Sequence, residues 1–411
     1  MFENLTDVFS AVAVKYLTAV DADPSSSNQH EIGGLVKAGL ADAMGYPSDG
    51  DKIPFPATMV FLDDFSDEPI VCEDVVTWYD SRHSKSHRGP EYRLYYRTNS
   101  VTDAFQEGDF SLVAFTIDRS LLMFFCRPDS AMERQLRILF GATQTDIEDS
   151  FKRVPIETLD VITPIRLMLA RYGVELDVAG TSNAERLEII REEFGDSFPS
   201  TKKFSNFTRN FSSDVSATQD PDMCLIRWMD EEELMFRLLE RHIVQQKITQ
   251  GFGENGDDVD EFVSFSLSVQ NRRKSRVGHA FENHIEELLI QNGIRFQRGV
   301  TTEGKQKPDF LFPGQREYHD SGYPSTELRM LAAKTTCKER WRQILPEARL
   351  IDRKHLITLE PSISSDQTAQ MIEHNIQLIV PLSIQSTYSS NQLKHIFSIG
   401  DFFAELRGIK I

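Results

Sequence analysis

Apolar positions along the first 175 residues come in short runs and not in long helical stripes. PATMVFLDDF, EYRLYYRT, FSLVAFTI and LLMFFCRP are each about one strand long, with turn-rich segments between them. That rhythm predicts a mainly-β barrel or sandwich. Helical patterns flank it near residues 5–17 and 162–172; the first, in MFENLTDVFSAVAVKYL, reads as an amphipathic helix. Residues 197–222, SFPSTKKFSNFTRNFSSDVSATQDPD, are rich in Ser, Thr and Asp and read as a linker or a loosely ordered entry into a second domain. A helix follows over CLIRWMDEEELMFRLLERHIVQQ, with Leu225, Trp228, Met235 and Leu239 as its apolar contacts, and the glycines of 251–256 end it. From there the pattern alternates: helix SRVGHAFENHIEELLIQNG, strands IRFQRGV, PDFLFP and LRMLAAKTT, helix KERWRQIL, strand HLITLE, helix DQTAQMIEHN, strand IQLIVP. Such alternation predicts an α/β domain with a central mixed sheet and helices on both faces. The expected divisions are a β-rich domain over 1–175, a linker and entry segment over 176–222 and an α/β domain over 223–411.

The length of 411 residues suits two domains, each able to bury its own core. A 40% hydrophobic and 26% charged composition is that of a soluble globular protein, and no apolar run is long enough for a transmembrane helix. The N-terminus lacks the basic leader of a signal peptide. Cys72, Cys126, Cys224 and Cys337 lie far apart with no CxxC, which argues against zinc and disulfides and for thiols in a reducing cytoplasm.

The net charge of −18 argues against polyanion binding over the whole surface, but the charge is uneven. Between 334 and 354 seven Lys/Arg (334, 338, 340, 342, 349, 353, 354) stand against three acids (339, 347, 352). A second basic knot, NRRKSR, spans 271–276. Local basic patches of this kind are what a nucleic-acid site requires.

Candidate chemistry lies in the same region. Asp309, in KPDFLF, starts a buried strand, and Lys334 ends the strand LRMLAAK 25 residues later. Side by side at one sheet edge, a carboxylate for a hard divalent cation and an ammonium to orient water or offset phosphate charge would suit phosphodiester hydrolysis. A second acid is needed. The usual nuclease place for it, two residues before the lysine, is Ala332, so the candidates are Glu347 on the following helix and Glu282 on the helix before the strands. On spacing alone, Asp309 reads equally as a turn or helix-cap residue.

Three blocks carry a closer likeness: SVQNRRKSRVGHAFENHIEEL, TEGKQKPDFLFPGQREYHD and LRMLAAKTTCKERWRQILPEA. In this order they resemble the catalytic domain of the EcoRII-like type II restriction endonucleases, within the PD-(D/E)xK nuclease superfamily. The resemblance is dense over about residues 265–360. It implies a site of Asp309, Lys334 and Glu347, with Glu282 as a further acid near a Mg2+ ion and Tyr318 close by. Pro346, just before Glu347, would break or kink a helix there. The resemblance also implies that Lys338, Glu339 and Arg340 read adjacent G·C pairs in the major groove, as befits donors to guanine O6 and N7 and an acceptor from cytosine N4. A symmetric site with CC and GG steps follows. Arg272, Arg273, Lys274 and Arg276 are expected to contact phosphates, with a solvated charge run as the alternative.

The family carries an N-terminal effector-binding domain, a seven-stranded pseudobarrel. NQHEIGG, with His30, and WYDSRHSKSHRGPEYR, with Lys85, Arg88, Glu91 and Arg93, resemble its two DNA-binding arms. The resemblance then implies a homodimer on double-stranded DNA, autoinhibition relieved by a second target copy, and a cognate DNA methyltransferase in the same system. One departure is that the helix CLIRWMDEEELMF does not reproduce the family's base-flipping pair. Arg227 and Trp228 stand there instead, and Trp228 reads equally as core. The rivals are a modification-dependent or repair nuclease of the same superfamily and a catalytically silent DNA-binding regulator.

Overall fold

The computed structural model describes residues 9–22, 30–48, 50–64, 66, 69–84, 87–142, 152–154, 181–212, 215–253 and 257–409. The chain divides into two compact units, 1–177 and 178–411.

The first unit is built on one eight-stranded sheet. Its strands are β1 (Phe9–Tyr16), β2 (Glu31–Ile32), β3 (Lys52–Leu62), β4 (Ile70–Asp80), β5 (Tyr92–Tyr95), β6 (Phe110–Thr116), β7 (Leu121–Cys126) and β8 (Lys152–Val154). Their order is β2-β5-β4-β3-β7-β6-β1-β8, one strand more than the resemblance implies, and only β3 and β7 pair in parallel. Every residue of β7 is buried, because both faces of the sheet are covered. Phe55, Trp78, Phe115 and Phe125 pack on one face. Phe110, Phe124, Met132 and Phe140 pack on the other, beneath the helix α1 (Ala131–Leu139).

The N-terminal segment corrects the sequence reading, since FSAVAVKY is strand and not amphipathic helix. It lies between β6 and β8, with Val12 paired to Ala114 and Val154. Burial on both faces leaves no polar stripe for a helix to present, and β-branched valines suit the pleat. The helical pattern expected at 162–172 lies outside the described residues.

In the second unit the supposed linker is mostly structured. Helices α2 (Thr181–Phe194) and α3 (Thr201–Thr208) pack against the long helix α4 (Pro221–Gln250). Phe194, Phe198, Phe204, Phe207 and Phe211 gather around Phe236 of α4. Of the Ser and Thr residues that suggested a loop, some cap helices, as the Ser200 hydroxyl does by accepting the Lys203 N–H, and others, Ser205 and Thr208, are buried in the packing of α3. Pro221 opens α4 behind the Asp220 cap, and Gly251, with a φ of 80°, closes it. The helix α5 (Val259–Gln291) packs on α4 and on the sheet.

The sheet is mixed, as the alternation predicts. It comprises β9 (Gln297–Arg298), β10 (Phe310–Phe312), β11 (Arg329–Lys334), β12 (Lys354–Thr358), β13 (Ile376–Ile379) and β14 (Ile396–Phe397). The β9, β10 and β11 strands run antiparallel, and β11 to β14 run parallel. KERWRQI over Lys338–Ile344 is a 3-10 helix, not α. Leu345 and Pro346 follow it in a turn, so Glu347 stands on a loop and not on a helix. Among the described residues no helix is long and apolar enough to cross a membrane.

Candidate active site

The antiparallel register of β10 and β11 sets Phe310 opposite Leu331, which brings Asp309 opposite Ala332. The vacancy left by alanine at that position is therefore beside Asp309. The Asp309 carboxylate accepts the Ala333 N–H at 2.8 Å and the Lys334 ammonium at 2.9 Å. Two residues far apart in sequence thus form one ion pair at the sheet edge, both half-buried.

Glu347, on its loop, lies within electrostatic range of this pair. Burial, and next the charge of Asp309, push its carboxyl up to about 7, while Lys334 and Lys354 pull the other way. Its Oε2 is buried and has no hydrogen-bond partner. Two carboxylates that oppose each other's charge, one with an unsatisfied oxygen, form a donor set suited to a hard divalent cation. The fit is chemical: Mg2+ prefers carboxylate oxygens and tolerates few protein ligands.

Glu282 is not brought into this group. Its carboxylate takes Arg298 of β9 at 2.7 Å, and Arg298 also binds Asn283 and Glu286. Among the described residues, no three His, Cys, Asp or Glu side chains gather as a metal site. Tyr318 is buried, and its hydroxyl donates to Glu303 and accepts the Leu350 N–H at 3.2 Å. Burial, with Glu303 next, holds its phenol well above the ordinary range. It therefore touches the loop that carries Glu347. Sequence reasoning assigned no role to Glu303 or Lys354, because their partners, the backbone of residues 348–351 and the Tyr318 hydroxyl, are set only by packing.

The side chains of Lys338 and Glu339 lie outside the described part, and Arg340 is exposed. Their segment is tied to the end of β12: the Cys337 N–H donates to Glu360 at 3.3 Å, and the Thr358 hydroxyl to the Thr335 carbonyl at 3.4 Å. Trp341 is fully buried beneath Arg342, whose guanidinium lies 4.6 Å from the ring centroid.

The basic knot differs from expectation. Arg276 is interior, bonded to Glu232 at 3.3 Å and to Glu233, and so it joins α5 to α4 instead of meeting a phosphate. Arg273 holds Glu240 of α4 at 2.6 Å, and Arg272 lies over the Phe198 ring. The Lys274 side chain lies outside the described part. Trp228 is core, packed between Arg209 and His284, which removes it as a stacking platform for a flipped base.

In the first unit, Glu91 is held at 2.6 Å by both Arg82 and Arg93 at the base of the 81–91 hairpin. The Asp80 carboxylate accepts the N–H groups of Arg82 and Glu91, which fixes that base. Arg88 is exposed, and Lys85 lies outside the described residues. His30 sets its ring edge-on to Tyr96, and its Nδ1 is buried without a hydrogen-bond partner. The loop after it is anchored by the buried Lys15–Asp21 pair, which binds the Gly33 carbonyl and N–H.

Comparison with known proteins bears on the chain as a whole. The family described as EcoRII C terminal matches residues 236–403. The type II restriction enzyme EcoRII of Escherichia coli is 32% identical over 402 residues, covering 97% of this chain and 94% of that protein. The type II restriction enzyme SsoII of Shigella sonnei is 28% identical over 127 residues, 28% of this chain and 41% of its own length. Metal-depleted Ecl18kI in complex with uncleaved, modified DNA superimposes with a TM-score of 0.44 at 19% identity, covering 55% of this chain and 84% of that one. With a likeness to EcoRII that runs through both units, the chain belongs to the EcoRII family of type II restriction endonucleases.

Proposed function

We propose that this endonuclease cleaves double-stranded DNA at a palindrome containing CC and GG steps, with Mg2+ as its cofactor. The observation that carries the reading is the Asp309–Lys334 pair beside a Glu347 carboxylate with an unsatisfied oxygen. Asp309 and Glu347 would hold Mg2+, which supplies positive charge to the phosphoryl oxygens when bound. Lys334 is fixed by Asp309, and its remaining N–H groups would orient the attacking water and stabilise the negative charge on the phosphoryl oxygens. Water attacks in line, a P–O bond forms, the bond to the 3′ oxygen breaks, and 5′-phosphate and 3′-hydroxyl ends remain.

Lys338, Glu339 and Arg340 would read the G·C pairs, with the ties from Glu360 and Thr358 supporting their segment. A palindrome cut on both strands calls for a homodimer about a two-fold axis. In the first unit His30, Lys85, Arg88, Glu91 and Arg93 would bind a second target copy, and that binding would relieve inhibition of cleavage. A cognate methyltransferase in the same cytoplasm would protect the host's own sites.

The test is cleavage of unmethylated plasmid or phage DNA with and without Mg2+, with the product ends sequenced. Discrete Mg2+-dependent cuts at one CC...GG palindrome support the reading and supply the central bases. Intact DNA across single-site, multi-site and methylated substrates rejects it.

A further inference from the structure

A carboxylate on a loop is aimed only as well as the loop is held. Glu347 lies between Pro346 and Ala348, whose φ of 44° is in the left-handed region that alanine rarely adopts. Contacts from outside the loop must therefore hold that backbone. On one side, the Glu303 carboxylate accepts the Arg349 N–H at 3.2 Å and the Tyr318 hydroxyl, and that hydroxyl accepts the Leu350 N–H at 3.2 Å. On the other side is Lys354, whose Nζ donates to the carbonyls of Ala348 at 3.3 Å and Ile351 at 3.0 Å.

Lys354 is only 7% exposed, an uncommon place for an ammonium. Burial pushes its pKa down, and Glu347, then Glu303 and Asp352, oppose that shift. Such a lysine is tolerated where fixed acceptors and nearby acids replace its water. Residues 348 to 351 are thus all gripped through backbone groups, by side chains from three separate segments.

We propose that Lys354, together with Glu303 and Tyr318, is a positioning residue for the reaction, holding the 347–351 loop so that Glu347 stands beside Asp309 and both bind the cation. The inference rests on the endonuclease reading above. It assigns the buried lysine no contact with DNA or with the reacting atoms.

The experiment compares the full-length wild type with Lys354→Met and Tyr318→Phe. Mn2+ binding is followed by electron paramagnetic resonance, and cleavage is measured across a Mg2+ titration. DNA affinity in metal-free buffer and thermal melting are recorded beside them. Both variants are expected to bind Mn2+ about ten- to a hundredfold more weakly, the usual effect of removing an outer support of a metal ligand. Their cleavage should return towards the wild-type rate at high Mg2+, with metal-free DNA affinity unchanged. Wild-type Mn2+ affinity in the variants overturns the proposal. So does a loss of cleavage that high Mg2+ does not restore, which would place these groups in the chemistry itself. If Lys354→Met does not fold, Tyr318→Phe, which removes a single oxygen, decides in the same way. A wild type that neither binds Mn2+ nor cleaves would instead bring down the endonuclease reading.

Discussion

Of the three side chains proposed for the site, Lys334 and Glu347 have distinct expected signatures. Lys334→Ala should lower cleavage by about a thousandfold or more, the scale of losing a preorganised charge at the reacting centre. Its DNA binding in metal-free buffer should persist, measured by gel shift. Glu347 is the more informative position. Its folded pKa of about 7 lies above the ordinary carboxyl value, so in the metal-free protein its ionisation costs stability as pH rises from about 4.5 through 7. Glu347→Gln should therefore abolish metal-dependent cleavage yet raise the melting temperature of the metal-free protein at pH 8. The gain, about 2 kcal/mol, should vanish below about pH 4.5, where the wild-type carboxyl is protonated. Equal melting curves at pH 8 would show that the carboxylate is not crowded.

The elements are joined by buried ion pairs, and an arginine in one of these, set beside an exposed arginine, separates architecture from DNA contact. Arg276 locks α5 to α4 through Glu232 and Glu233. Arg276→Ala would remove one cation from two carboxylates that keep His284 and Arg237 as partners, and should cost about 1–3 kcal/mol in denaturant unfolding. Arg340 is exposed, so Arg340→Ala should leave unfolding unchanged while weakening specific DNA binding by about 1–3 kcal/mol. If the two variants had the same binding defect and the same stability, the division would fail. At the back of the sheet, Glu405 joins Arg329 of β11 to His355 of β12. The hydrogen bond from His355 and the pairing with Arg329 hold its carboxyl down to about 2. Its contribution is therefore full above about pH 4.5 and is lost as pH falls towards 2. The stability difference between wild type and Glu405→Gln, of roughly 1–3 kcal/mol at pH 7, should shrink over that window.

At the scale of the whole chain, the division at 177/178 changes how the units should be separated. A chain starting at residue 198 would lack α2, whose Ile190 and Phe194 pack with Phe204 and Phe236. A chain of residues 178–411 should thus melt cooperatively at a higher temperature than one of 198–411. If the first unit restrains cleavage, the 178–411 chain should cut single-site DNA faster than the full protein. Equal rates would remove the effector from the proposal. The net charge of −18 belongs to this scale too: it disfavours loose association with DNA and leaves attraction to local basic segments.

Periodicity alone was enough for the α/β alternation of the second unit and for strands β3, β5, β6 and β7, because each buries a characteristic face or run of side chains. The nuclease family was legible as ordered blocks of residues, and the meeting of Asp309 with Lys334 as two strand ends at one sheet edge. The N-terminal segment was misread because a strand buried on both faces has no pattern to distinguish it from a short helix. The 197–222 segment was misread because its polar residues serve as caps or, like Ser205 and Thr208, are buried by packing, and its phenylalanines are spaced irregularly. The loop that carries Glu347 was signalled by Pro346, but what Glu347 meets there, the interior fate of Arg276 and the support from Glu303 and Lys354 had no local signal. Each depends on which side chains meet across sheet, helix and loop, and partners distant in sequence are chosen only when the chain packs.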